Sequence, residues 1–262
     1  MFNALYWDTD PLLLRLGPIS LRYYGLLFAL AFIHGFYLIR WVFQREGRPA
    51  DELDPLFGFM FGGTLIGARL GHCLFYDPVY YLSNPLQIIK IWEGGLASHG
   101  AAIGIMTALY LFVRSRPGTS YIWILDRIVL AVAPGGAMIR LGNFFNSEIL
   151  GTPTNMPWAV VFARYDHVPR HPAQLYEMLA YLSVYGLLLW IYHRQGPNVR
   201  PGLLLGLFLC TVFGFRFLVE FVKLRQAAFS DMLPLSMGQL LSIPVVIVGL
   251  MLLAWSWRQP RL

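Results

Sequence analysis

The chain has 262 residues, of which 57% are apolar and only 13% are charged. Soluble domains carry roughly a quarter charged residues, so a soluble fold of this length could not hide so much apolar surface. The net charge of +6 is small and is spread over short Lys and Arg tracts between apolar runs, and Cys73 and Cys210 lie inside such runs without metal-ligand spacing. This composition excludes a disordered chain, a disulfide scaffold and a nucleic-acid module, and it indicates a membrane protein.

The apolar runs predict seven transmembrane helices, at about 21–42, 56–76, 96–114, 121–141, 173–193, 202–222 and 238–257. We therefore expect an all-α integral membrane protein, with residues 1–262 forming a single polytopic membrane domain. Asp8 and Asp10 precede the first run without a basic leader, so we expect this helix to be retained. An odd number of spans puts the termini on opposite sides, and a slight excess of Lys and Arg favours a cytoplasmic C-terminus.

The longest connection, residues 142–172, lies between the fourth and fifth predicted helices. Four prolines surround an apolar run at 158–162, which predicts a small folded element, such as a short strand pair, on the outer (periplasmic) side. Before the seventh helix, Ser236 and Gln239 have the spacing of a capping box, and Pro244 should kink that helix.

Glycines recur at four-residue spacing in the second and third spans: Gly58, Gly62, Gly63, Gly67 and Gly71, then Gly100 and Gly104. Small residues at this interval let two membrane helices approach closely. We interpret these glycines as packing positions.

Several ionisable side chains fall inside the predicted spans: Arg69, His99, Arg140, Glu177, Arg216 and Glu220. Each costs about 2.5 to 3.5 kcal/mol on insertion scales unless it has a partner, a wet cavity or a task. Arg216 and Glu220 are spaced i, i+4 and are expected to neutralise each other as an ion pair. Because Arg69 and Arg140 remain in surplus, and guanidinium groups bind phosphate through two hydrogen bonds, the pattern favours an anionic ligand such as a phospholipid headgroup.

The segment RLGNFFNSEILG, residues 140–151, combines a cation, amides and a carboxylate at a predicted membrane boundary. A purely structural helix end does not need so many polar groups. We therefore treat Arg140, Asn143, Glu148 and Gly151 as candidate site residues.

These residues also carry a resemblance to a known family. GGAMIRLGNFFNSEILG (135–151) resembles the signature of the bacterial prolipoprotein diacylglyceryl transferases, and so do LRYYG (21–25), GARLG (67–71), EGGLASHGAAIG (93–104), RHPAQLYE (170–177), FRFLVEF (215–221) and SMGQLLSIP (236–244). The matches follow the family order across nearly the whole chain. The connection between Gly151 and Arg170 looks short for the family. This departure affects the predicted outer element and not the residues expected to carry the chemistry.

The resemblance implies seven spans, an outward N-terminus and a site near the periplasmic face of the bacterial cytoplasmic (inner) membrane. It also implies transfer of the sn-1,2-diacylglyceryl group of phosphatidylglycerol to the lipobox cysteine thiol in the signal peptide of a preprolipoprotein, with release of glycerol phosphate. No metal, cofactor or nucleic acid is implied. Membrane lipid and the signal peptide are the expected partners.

Site residues follow from the same resemblance. Arg140 and Arg216 are expected to bind the phosphate and to act in catalysis, and His99 is the candidate general base, since histidine titrates nearest neutral pH. A packing role for His99 is equally open. The expected substrate-binding set is completed by Tyr24, Asn143, Glu148, Gly151, Glu220 and Arg69, while His34 and His72 are expected to be structural.

Two other functions remain open from the residues alone. A phospholipid or anion transporter would use the buried arginines as a pathway without covalent chemistry, but the seven segments show no inverted repeat. An intramembrane serine hydrolase would need Ser98 or Ser236 as its nucleophile. Neither serine lies in a nucleophile elbow.

Overall fold

The computed structural model describes residues 4–17, 19–224 and 234–259. Within these ranges the chain forms eight α-helices, with short strands near the N-terminus and in the connection before α6. The helices are α1 (Tyr23–Arg45), α2 (Leu53–Phe75), α3 (Pro78–Ser83), α4 (Ser98–Arg114), α5 (Tyr121–Phe145), α6 (Ala173–Gln195), α7 (Leu203–Val219) and α8 (Met237–Trp257). The strands are β1 (Leu5–Trp7), β2 (Leu12–Leu16), β3 (Ile19–Arg22), β4 (Val160–Phe162) and β5 (Pro169–Arg170).

All seven apolar segments form helices, but only part of the membrane prediction is supported. In the described chain, five helical stretches are long and apolar enough to cross a membrane: Tyr23–Arg45, Tyr121–Phe145, Ala173–Asn198, Leu203–Val222 and Met237–Trp257. Helix α4 has 17 residues, which gives a rise of about 25 Å against a hydrocarbon core of about 30 Å. Helix α2 has the length but contains Asp54, Arg69 and several glycines.

Large apolar side chains are exposed along the helices, including Leu179, Trp190 and Leu250. A soluble protein rarely leaves contiguous apolar surface of this kind in water. Together with the five long apolar helices, this exposure identifies a membrane protein.

The chain divides into two compact units, of residues 1–39 with 126–262 and of residues 40–125. In the first unit, α7 packs against α8 and α6. Asp126 in α5 accepts hydrogen bonds from the backbone N–H groups of Gly202 at 2.6 Å and Leu205 at 2.8 Å. A buried carboxylate on another helix therefore caps the first turn of α7, whose own N-cap residue is glycine.

The connection between α5 and α6 contains the expected strand pair, because β4 and β5 pair antiparallel. The N-terminal strand β1 joins it and pairs parallel with β4. Phe144, Leu150, Val160 and Phe162 form a buried core beneath this sheet. The Trp7 ring extends that core, with its centroid 4.4 Å from that of Phe144. The sequence predicts this strand pair within residues 142–172 alone. The pairing of the N-terminal strand β1 with β4 is therefore a feature that only the structure shows.

In the second unit, α2 and α4 approach each other through glycine. A β-carbon built on Gly67 would lie 2.4 Å from the carbonyl oxygen of Gly100, and one built on Gly104 would lie 2.1 Å from that of Gly63. A β-carbon built on Gly71 would lie 2.6 Å from the α-carbon of Gly100. The packing interpretation is therefore confirmed for these glycines. Gly58 and Gly62 differ, since a β-carbon on either would have no heavy atom within 4 Å.

Helix α8 begins with the predicted capping box. The Gln239 backbone N–H donates to Ser236 Oγ at 3.2 Å, and the Ser236 backbone N–H donates to Gln239 Oε1 at 3.0 Å. Pro244 lies inside the helix, which continues to Trp257.

Candidate active site

The candidate site begins at the C-terminal end of α5, where Arg140 and Asn143 lie one turn apart. Arg140 Nη1 donates to Asn143 Oδ1 at 3.3 Å, and Asn143 Nδ2 donates to Glu148 Oε2 at 3.1 Å. The other carboxylate oxygen of Glu148 accepts from Asn146 Nδ2 at 3.1 Å. Three residues proposed from the sequence therefore form one hydrogen-bonded group.

The loop that carries Glu148 has an unusual backbone. Ser147 and Ile149 have φ angles of 54° and 56°, in the left-handed region that a β-branched residue rarely adopts. Such a conformation costs on the order of 1 to 3 kcal/mol per residue and persists only where the surroundings impose it. The Glu148 backbone N–H donates to the Asn143 carbonyl oxygen, and its own carbonyl accepts from Gln174 Nε2. These bonds hold the Glu148 side chain toward Asn143.

A second set of contacts connects Arg140 to the ends of α7 and α8. Arg140 Nε lies 3.1 Å from Glu177 Oε2, and the other oxygen of Glu177 lies 3.2 Å from Lys223 Nζ. Lys223 Nζ also lies 2.8 Å from Glu220 Oε1. Glu220 Oε2 accepts from Ser236 Oγ at 2.8 Å. These contacts join α5, α6, the segment that follows α7 and the start of α8 by one continuous polar path.

Gly151 lies where three segments meet. Its backbone N–H donates to the His171 carbonyl oxygen at 3.1 Å, and the next residue, Thr152, donates to the Val222 carbonyl oxygen at 2.9 Å. A β-carbon on Gly151 would lie 2.3 Å from the first of these oxygens and 2.9 Å from the second. Gly151 therefore has a clear structural reason to be glycine, whatever it contributes to substrate binding.

Arg216 is half-buried on α7, and its expected ion pair with Glu220 is wrong. Helix α7 ends at Val219, and Glu220 begins a 3-10 turn that directs its carboxylate to Lys223 and Ser236. Within the described parts of the chain, the buried Arg216 Nε has no hydrogen-bond partner. Arg216, Glu177 and Tyr181 line a small cavity with room for about one water molecule. Among the described residues, the Nε–H of Arg216 is therefore an unused donor beside this cavity.

Tyr24 lies in the first turn of α1, half-buried, within electrostatic range of Glu148 and Arg140. Gly142 makes room for it, because a β-carbon there would lie 2.7 Å from Tyr24 Cδ2. The structure therefore brings together Tyr24, Arg140, Asn143 and Glu148 as expected. Glu177 joins them through its contact with Arg140.

Arg69 and His99 belong to the second compact unit. Arg69 donates to the carbonyl oxygens of Gln87, Ile88, Gly94 and Gly95, with distances of 2.5 to 3.3 Å. Most of its donors are thereby used to hold the segment before α4, which supports a positioning role for Arg69.

His99 is exposed in the first turn of α4. Its ring centroid lies 5.3 Å from that of Phe75 and 5.9 Å from that of Tyr76. Exposure leaves the imidazole accessible, while the two ring contacts suit packing. Its role as the base stays a prediction.

The element between α5 and α6 holds a second group of polar contacts. The Arg170 guanidinium donates to both carboxylate oxygens of Asp166, which lowers the pKa of Asp166 below its ordinary value, and Arg170 Nη1 also donates to the Gly151 carbonyl oxygen at 3.2 Å. Trp158 Nε1 donates to the Tyr176 hydroxyl at 2.7 Å, and that hydroxyl lies 3.0 Å from His171 Nδ1. Burial lowers the pKa of His171. The neutral ring and the Tyr176 hydroxyl are therefore joined by a hydrogen bond whose direction follows the histidine tautomer.

Two important residues were missed by the sequence analysis. Lys223 is absent from the site predicted by the sequence, although it is only 8% exposed and joins two acids; its position three residues after Glu220 is the available signal. Asp126, the cap of α7, was not included among the ionisable residues of the spans. An acid inside an apolar run was the signal there.

Comparison with known proteins identifies the family. Residues 11–255 match the family model described as prolipoprotein diacylglyceryl transferase. Relatives named phosphatidylglycerol–prolipoprotein diacylglyceryl transferase include those of Chloroherpeton thalassium, 52% identical over 99% of this chain and 97% of the relative, and Tolumonas auensis, 47% identical over 97% and 98%. The relative from Porphyromonas gingivalis is 43% identical over 97% of this chain and 95% of its own. The chain therefore belongs to the prolipoprotein diacylglyceryl transferase family.

Proposed function

We propose that this protein transfers the sn-1,2-diacylglyceryl group of phosphatidylglycerol to the lipobox cysteine of preprolipoproteins, the first step of lipoprotein maturation. The observation that carries the proposal is the near full-length similarity to relatives that bear this enzyme's name. The two guanidinium groups beside a polar path and a cavity are consistent with it, because they suit an anionic headgroup.

The reaction makes definite demands on the protein. A carbon–sulfur bond forms between the cysteine and the glyceryl carbon, the bond from that carbon to the phosphate oxygen breaks, and glycerol phosphate leaves with the bonding electrons. Arg140 and Arg216 would neutralise the phosphate as charge develops on it. The thiol, with an ordinary pKa of about 8.5, must lose its proton to a base.

The other site residues support these two tasks. Asn143 and Glu148 would orient Arg140 and bind hydroxyl groups of the headgroup, with Tyr24 beside them. Glu220 would hold the end of α7. His99 is the candidate base on its chemistry alone, and a nearly unchanged rate of His99→Gln at raised pH would assign it to packing instead.

The membrane arrangement forms part of the proposal. Helices α1, α2, α4, α5, α6, α7 and α8 would be the seven spans, with α2 and α4 crossing as a close glycine-packed pair. The N-terminus and the element between α5 and α6 would lie on the periplasmic side of the inner membrane, and the C-terminus in the cytoplasm. This arrangement would put the Arg140 group near lipid headgroups.

Purified protein in detergent, incubated with phosphatidylglycerol and a synthetic lipobox peptide, tests the proposal by mass spectrometry. The peptide with cysteine should gain the mass of a diacylglyceryl group while glycerol phosphate is released, and a matched peptide with serine should gain nothing. Lipid movement across vesicles without a peptide adduct would favour the transporter. Retention of the adduct after both Ser98 and Ser236 are replaced by alanine would remove the serine mechanism.

A further inference from the structure

Lys223 is the buried cation of the site that has no role in the proposed chemistry. Its side chain is 6% exposed, and its ammonium group lies 3.2 Å from Glu177 Oε1 and 2.8 Å from Glu220 Oε1. Burial of a lysine ammonium group is unfavourable, and two neighbouring carboxylates can offset that cost. Its backbone is also held, because Gly151 and Lys223 form an isolated antiparallel bridge and Leu224 N–H donates to the Leu150 carbonyl oxygen at 3.0 Å.

Glu177 is shared between two cations. One carboxylate oxygen faces Arg140 Nε and the other faces Lys223 Nζ, and the Glu177 side chain is 4% exposed. Solvent therefore screens neither contact strongly. Because part of the Glu177 charge is satisfied by Lys223, Arg140 is held in place without being fully neutralised.

The charge balance of this group depends on Lys223. Arg140, Arg216 and Lys223 supply three positive charges, against three negative charges on Glu148, Glu177 and Glu220. Removal of the lysine would leave three acids and two guanidinium groups, so that each arginine could be neutralised internally. An anionic headgroup would then have to compete with a buried carboxylate for Arg140.

We propose that Lys223 is a positioning residue that keeps Arg140 and Arg216 available for the phosphate of the lipid. The proposal rests on the transferase function above. Lys223 does not itself touch the reacting atoms; it acts by holding Glu177 and Glu220. The main effect of its removal should therefore appear in the use of phosphatidylglycerol and not in the use of the peptide.

The test compares Lys223→Met, Lys223→Arg and the double variant Lys223→Met with Glu177→Gln, all as full-length protein in detergent. Lys223→Met should raise the KM for phosphatidylglycerol about tenfold while the KM for the lipobox peptide stays unchanged. Lys223→Arg should keep the wild-type values. The double variant restores the equal numbers of positive and negative charges and should recover the KM for phosphatidylglycerol even if its melting temperature remains low. Lys90→Met removes a lysine from the other compact unit and serves as the control.

Three results would overturn the proposal: wild-type kinetics in Lys223→Met, a loss of activity in that variant that matches its loss of folded protein with both KM values unchanged, or no recovery in the double variant. If Lys223→Met yields no folded protein, Lys223→Arg and the double variant decide, since both should keep the wild-type KM for phosphatidylglycerol. Failure of the transferase function is distinguishable, because the wild-type protein itself would then form no adduct.

Discussion

Gly151 lies against His171 so closely that a β-carbon on the glycine would be 2.3 Å from the histidine carbonyl oxygen. Gly151→Ala must therefore separate the segment after Glu148 from the start of α6, or break the hydrogen bond between their backbones. We expect a destabilisation of about 1 to 3 kcal/mol, typical of overpacking, and a loss of transfer activity. Thermal melting in detergent and the peptide adduct assay measure the two effects.

Gly186→Ala in α6 is the matched control for this substitution. A β-carbon there would have no heavy atom within 4 Å, and helical propensity favours alanine by about 1 kcal/mol or less. Equal melting temperatures for the two variants would contradict the steric account of Gly151.

Arg140 provides the most direct test of the headgroup site. Arg140→Ala should lower turnover by about 100-fold or more, as expected when a preorganised donor to a developing anion is lost. Arg140→Lys should rescue it poorly, since lysine cannot contact Asn143, Glu177 and a phosphate through one planar group. Arg164→Ala is the control, because that side chain is 44% exposed and has a 3.8 Å contact with Asp10. Normal turnover of a folded Arg140→Ala protein would refute the assignment.

The pairing of α2 with α4 predicts a contrast between two neighbouring glycines. Gly67→Ala would place a β-carbon 2.4 Å from a backbone oxygen of α4, which cannot move aside as a side chain can. We expect a clear fall in melting temperature. Gly62→Ala, five residues earlier in an open position, should leave it almost unchanged. Similar falls for both variants would show that the close approach of the two helices does not limit stability.

His171 predicts how stability depends on pH. Burial lowers its pKa, so the unfolded chain takes up a proton on this residue at a higher pH than the folded protein does. The stability contributed by the neutral ring is complete above the unfolded pKa of about 6.5 and declines as the pH falls below it. Melting curves from pH 8 to pH 5 should therefore decline less steeply for His171→Gln than for the wild type. An equal decline in melting temperature for the two proteins would contradict the predicted contribution of His171.

The extent to which the sequence predicts this fold depends on the range of each interaction. Helix positions follow from apolar runs interrupted by proline and glycine, and Arg140, Asn143 and Glu148 are close enough in sequence to suggest one group. The partners of Arg69 are carbonyl oxygens 18 to 26 residues away, which no side-chain pattern reveals. The pair of Arg216 with Glu220 was expected from helical spacing, but the helix ends before Glu220, where a nearby lysine and a capping serine compete for the carboxylate.

The contact of Asp126 with the start of α7 constrains the order in which this protein can assemble. The acceptor for the N–H groups of Gly202 and Leu205 lies on a helix synthesised about 80 residues earlier, so it is already present when α7 emerges from the ribosome. Until the two meet, α7 has unsatisfied donors at its N-terminus, which are costly in a lipid environment. Insertion of α7 should therefore be guided by docking onto α5, and a truncated chain that lacks α5 should insert its later helices less efficiently.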